Sequence, residues 1–137
     1  MSINKAFVRM GVGLTFLALL VGCESRISQC GKIQQVITKE KEISSSVSND
    51  KIGELPDKLD AVTTELEAVK VGDGDLQNRQ KNLVNNYKNL SQSIRNVVAS
   101  IDKVNSGEIK SSMSYLEVAT SQKASTVSEI TTFCSAQ

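Results

Sequence analysis

The 137-residue chain contains no histidine and no tryptophan, only one proline, five Tyr and Phe residues and three cysteines. Each scarcity removes something. Without histidine there is no side chain that titrates near neutral pH unaided, no imidazole for a metal, and no Ser-His or Cys-His dyad. Most hydrolase schemes go with them, no cofactor or metal is implied by the residues that remain, and the chain is not expected to be an enzyme. Charge of one sign is lacking too, since 16 Lys and Arg face 15 Asp and Glu for a net +1. No basic stripe with interleaved aromatics exists, so the electrostatic pull that nucleic acid or anionic lipid needs is missing, and no nucleic-acid partner is expected.

Long hydrophobic runs are absent as well. The one apolar stretch, residues 10–21, follows Lys5 and Arg9 and contains no acid. At about 12 residues it is too short to cross a hydrocarbon layer roughly 30 Å thick, which takes about 20. Residues 1–22 therefore have the layout of an export signal. The stretch ends in Leu20-Val21-Gly22-Cys23, which resembles the bacterial lipobox. The resemblance implies that the Cys23 thiol receives a diacylglyceryl group, that the chain is cut before it, and that the new amino terminus is acylated. Buried acyl chains contribute about 0.8 kcal/mol per methylene, so two or three of them hold a protein on a bilayer without a spanning helix. The expected product is one domain, residues 23–137, anchored to a membrane through its N-terminal lipid. Its expected place is the cell envelope, on the periplasmic face of the outer or inner membrane or at the cell surface. Residue 24 is Glu rather than Asp, which by analogy with enterobacterial sorting does not retain a lipoprotein at the inner membrane. Removing Lys5 and Arg9 with the leader leaves 14 bases against 15 acids, a net charge of −1.

Export also bears on Cys30 and Cys134, the two remaining cysteines. An oxidising compartment favours a disulfide between them; the alternative is a pair of buried free thiols. The bond would close a loop of about 105 residues, for which chain entropy gives roughly 4.7 kcal/mol. Two thiols without histidine supply too few soft ligands for a metal.

Apolar residues recur at helical spacing and strands are not expected, so the class is all-α. Leu76, Leu83, Tyr87, Leu90, Ile94, Val97, Ile101 and Val104 follow a heptad seam that only Gln80 interrupts, which predicts a helix of about 30 residues. Ile109, Met113, Leu116, Val127, Ile130 and Cys134 continue the pattern in a second long helix. Thr120 and Lys123 fall on its seam, so its middle should pack more weakly. Between the two, Gly107 is suited to ending the first helix, Asn105 or Ser106 to capping the second, and Glu108 to its positive end. Upstream, Gly72-Asp73-Gly74-Asp75 combines a helix stop with a capping Asp. A calcium loop would need further oxygen ligands and a distal Glu, so a turn is the reading. Leu59, Val62, Leu66 and Val69 predict a short helix of about 14 residues with Pro56 and Asp57 in its first turn. Asp57 and Asp60 read as first-turn charges. An earlier helix carries Ile27, Cys30, Ile33, Val36, Ile37, Ile43 and Val47, with a loop near 48–55 behind it. Its Lys39, Glu40, Lys41 and Glu42 read as solvated charge.

Helix lengths test the count. At about 1.5 Å per residue the four helices rise about 25 Å, fall about 20, rise about 42 and fall about 38, returning the chain to within roughly 10 Å of its start. A two-helix hairpin turning at Gly72 would instead leave Cys30 and Cys134 mismatched by about 25 Å. An antiparallel up-down bundle of four helices with a short second helix, stapled by one disulfide, is the expected architecture. The outer halves of the long helices should then stand beyond the short one as a two-helix extension.

The sequence of features, from signal and lipobox through Cys30, Leu66-Glu67-Ala68-Val69, Tyr87-Lys88-Asn89-Leu90-Ser91 to Thr131-Thr132-Phe133-Cys134, resembles small helical lipoproteins of cyanobacteria. That resemblance implies the fold and the anchor but no activity. One surface feature remains. Asn82, Asn85, Asn86, Asn89, Ser93 and Asn96 lie three or four apart, a neutral polar stripe beside the seam that reads either as a solvated helix face or as a docking face. The functional expectation is a noncatalytic interaction or structural module with an envelope protein as partner. The alternative is a small-ligand carrier that uses the bundle interior, although the seam offers few convergent polar groups.

Overall fold

The computed structural model describes residues 24–136, so the leader and Cys23 lie outside the described residues. Within them the heptad pattern becomes four helices, α1 (Arg26–Ser46), α2 (Leu55–Ala68), α3 (Gly74–Asp102) and α4 (Ser106–Ser135). No strand occurs among the described residues. Helix α3 packs against α2 and α4, and α1 lies across the bundle from α3, between α2 and α4. The chain is an all-α, up-down-up-down bundle closed by a Cys30–Cys134 disulfide with the Cα atoms 5.7 Å apart.

Local chemistry sets the helix ends. The side chains of Ser25, Asp73 and Asn105 accept from backbone N–H groups in the first turns of α1, α3 and α4, satisfying donors that have no partner inside a helix. Pro56 sits in the first turn of α2, where its missing N–H is harmless. The segment expected as loop near 48–55 is shorter than that, because Asn49–Glu54 forms a turn of 3-10 helix leading directly into α2.

The connection between α3 and α4 differs from the sequence reading. Gly107 lies inside α4, and no glycine among the described residues has positive φ. The left-handed position falls on Val104, with φ 50°. A β-branched residue is strained there, and Val104 is 85% exposed, so burial returns little. Val104→Gly is expected to stabilise the protein by about 0.5–1 kcal/mol, raising the melting temperature by roughly 3 °C. A thermal melt followed by circular dichroism checks it; a lowered melting temperature would contradict the strain.

The core divides into two levels. Next to the staple, Cys30, Ile33, Val36 and Ile37 of α1 meet Val62 and Leu66 of α2, Leu76, Leu83 and Tyr87 of α3, and Ile130 of α4. Above it, Leu55 and Leu59 meet Leu90, Ile94 and Ala119, with Ile43, Val47, Val98 and Leu116 packed on them. Gln80, the interruption in the seam, is buried and useful: its amide donates to the carbonyls of Leu66 (2.6 Å) and Val69 (2.8 Å), tying α3 to the end of α2. Beyond the upper level only α3 and α4 continue, giving the expected two-helix extension.

Candidate functional site

The bundle has two unlike ends and a charged waist, and the side chains of interest are distributed among them. At the stapled end, Arg26 pairs with Asp73 at 2.6 Å. Gln29 accepts from the N–H of Gly72 at 2.9 Å. The guanidinium groups of Arg26 and Arg79 lie 5.1 and 4.9 Å from the centre of the Phe133 ring. The backbone bond from Leu76, reinforced by Arg26, holds the Asp73 carboxyl below its usual range, even though some desolvation opposes it. The acidic loop is thus a helix cap and an ion pair rather than a cation cradle. This end lies where α1 begins, three residues after Cys23.

The waist holds a feature that the sequence reading placed in solvent. Glu40 is 2% exposed. It accepts from the Lys123 ammonium at 3.0 Å and from Ser44 Oγ at 2.6 Å, and the Lys123 side chain is only 20% exposed. The expectation of solvated charge is therefore corrected for Glu40. A signal existed: Ile33, Ile37, Glu40, Ser44 and Val47 share one heptad register, so Glu40 sits on the seam of α1 as Lys123 sits on that of α4. Each polar intruder is the other's partner. Below them Tyr87 is fully buried, with its hydroxyl unpartnered, and burial, aided by the Glu40 charge, pushes that hydroxyl well above its usual pKa.

Asp57 and Asp60 also do more than start a helix. Both accept from Arg95 of α3, at 2.8 and 2.7 Å, while Ser91 donates to Asp60 at 2.7 Å. Desolvation works against the Asp60 charge, but the bonds from Arg95 and Ser91 outweigh it and its pKa is lowered. A carboxylate whose folded pKa is depressed stabilises the fold above its unfolded pKa, and that stability is lost as pH falls through the folded value. With Asp60 and Asp73 both shifted down from 3.8, the melting temperature is expected to hold from neutral pH to about 4 and to drop below it. Melts at pH 6 and pH 2.5 that coincide would contradict this.

The asparagine stripe runs along α3 beside α4. Asn82, Asn85, Asn89 and Asn96 are exposed, but Asn86 donates to Thr126 Oγ1 (2.7 Å) and to the Gln122 carbonyl (3.2 Å), and Ser93 is buried. The stripe therefore includes part of the α3–α4 joint. A shallow groove of about 390 Å³ lies over it, shared by Asn82, Asn85, Asn86 and α4. A larger cleft of about 680 Å³ opens between the end of α2 and α3, lined by Val69, Val71 and Val84 and by Lys70, Lys81 and the Lys88–Glu67 ion pair.

Among the described residues, no three His, Cys, Asp or Glu side chains gather for a metal, and no helix is long and apolar enough to cross a membrane. Comparison with family models, with curated proteins and with solved structures yields no match to this chain.

Proposed function

We propose that this chain is a noncatalytic, lipid-anchored module of the cell envelope that holds its binding surface away from the membrane for another envelope protein. The observation that carries the proposal is Leu20-Val21-Gly22-Cys23, placed directly after the apolar run and three residues before α1. A tether at Cys23 attaches the stapled end to the bilayer. The α3–α4 tip then stands at the other end of a helix of 29 residues, about 43 Å away at 1.5 Å per residue. Confinement to a surface raises the effective concentration of the module for its neighbours without any new contact.

The disulfide fits this setting, because an exported domain keeps such a bond and a cytosolic one is kept reduced. The small-ligand alternative draws support from the cleft between α2 and α3 rather than from the interior, which side chains fill. That cleft is of ligand size, lined by three valines and by Lys70, Lys81 and a Lys88 already paired with Glu67 at 2.6 Å, and its excess of positive charge would suit an anionic amphiphile. Membrane fractionation tests the main reading. Wild-type protein is expected in the membrane pellet after a high-salt wash, and Cys23→Ser in its precursor form with the leader attached. A Cys23→Ser variant that is processed and localised like the wild type would overturn the proposal.

A further inference from the structure

The apolar face that α1 and α2 cover on the lower half of the long pair continues upward with no cover. On α3 the seam passes through Tyr87, Leu90 and Ile94, all buried, to Ile101, 52% exposed. On α4 it passes upward from Ala119 through Leu116, packed on the upper core, to Met113, 49% exposed. Helix α1 stops at Ser46, and the 3-10 turn Asn49–Glu54 that leads into α2 packs on α3 but leaves Ile101 and Met113 exposed. Lys110 and Glu117 line the same groove of about 480 Å³ as Met113 and Leu116. Both are exposed, and among the described residues neither pairs with an opposite charge within the chain.

Lys110 and Glu117 are seven residues apart, two helical turns, so they stand on one side of α4 with Met113 between them. We infer that this face pairs with the same face of a second copy, the two α4 helices running antiparallel about a two-fold axis between Met113 and Ser114. The occupant follows from the charges. In a two-fold contact, residue i meets residue j wherever j meets i, and an axis at that point sets Lys110 opposite the partner's Glu117 on both sides of the centre. A parallel pairing in register would set lysine against lysine and glutamate against glutamate, which is disfavoured. Met113 and Ile101, with Leu116 and Ile109 beside them, supply the apolar centre. Two such hairpins face to face make four antiparallel helices, the arrangement that α1 and α2 already provide lower down. The patch is on the order of several hundred Å² per copy, which places the dimer in the weak, reversible class. Antiparallel pairing sets the two stapled ends on opposite sides of the dimer, so two copies tethered in one bilayer cannot form it; it joins copies anchored on facing membranes, or copies freed from the bilayer in detergent.

The test is sedimentation of the full-length protein, in mild detergent, over a concentration series. Wild type is expected to dimerise with a micromolar Kd. Lys110→Glu and Glu117→Lys each place two like-charge pairs across the axis and should weaken association by about tenfold or more, with unchanged circular dichroism because both residues are exposed. Mixed one to one, the two variants should recover wild-type association as a heterodimer, each copy now meeting opposite charge. Met113→Glu should leave a folded monomer. A wild type monomeric up to about 200 µM, well above a micromolar Kd, overturns the inference. So does a dimer indifferent to the single reversals, or one that mixing fails to restore. Loss of a different envelope protein on Met113→Glu, with wild type monomeric, also overturns it and assigns the face to that partner.

Discussion

Replacing both Cys30 and Cys134 by alanine is expected to destabilise the bundle by about 4–5 kcal/mol. The two residues are 104 apart in sequence. Joining them denies the unfolded chain the conformations in which its ends are far apart, and this restriction grows slowly with loop length. The folded state loses little by comparison, because Arg26, Gln29 and Phe133 still knit the start of α1 to the α2–α3 connection and the end of α4. Denaturant unfolding of the oxidised protein and of the double variant measures the difference, with a fall in melting temperature of roughly 15 °C. A difference below about 1 kcal/mol would show that packing alone sets the stability and that the staple is incidental.

Lys123→Met should cost about 3 kcal/mol, although it exchanges a partly covered charge for an apolar side chain of similar length. The reason lies on the other helix. Glu40 is buried, and removal of the ammonium at 3.0 Å leaves its carboxylate with the Ser44 hydroxyl as its remaining bond. An uncompensated buried charge is far more damaging than an absent pair. Glu40→Leu combined with Lys123→Met should therefore restore most of the loss or exceed the wild type, since the desolvation of both ions disappears together. If the single change costs less than about 1 kcal/mol, the pair behaves as an exposed one and the buried geometry is contradicted.

The contrast between these two effects marks what was legible in the sequence. The helix class, the four-element count and a long α3 opening on a capping Asp followed from heptad spacing, capping residues and a length balance that only an even number of helices closes. The Cys30–Cys134 pairing followed from the expected export and from these being the two cysteines left; that the cap is Asp73 rather than Asp75 did not follow. The burial of Glu40 did not follow, because its partner lies 83 residues away and the run Lys39-Glu40-Lys41-Glu42 has the composition of a solvated face. Only its seam register, matched with that of Lys123, carried the information. Val104 was missed for a different reason. Gly107 is three residues away and has the higher intrinsic preference for positive φ, yet the Asn105 cap starts α4 early and leaves the left-handed step to its neighbour. The clamp of Asp57 and Asp60 on Arg95 again depends on which faces of α2 and α3 meet. At the candidate site, Cys23 rests on sequence alone, while the uncovered Met113 face became visible once the levels at which α1 ends and α2 begins were known.

The central claim is that the chain works as a tethered bundle, and the intact mass of the protein extracted from cells tests it most directly. The account predicts a polypeptide beginning at Cys23, heavier than residues 23–137 by a diacylglyceryl group and an N-terminal acyl chain, and lighter by the two hydrogens lost in one disulfide. A mass matching the unmodified full chain with its leader, or a chain cut elsewhere with Cys23 bare, would contradict it.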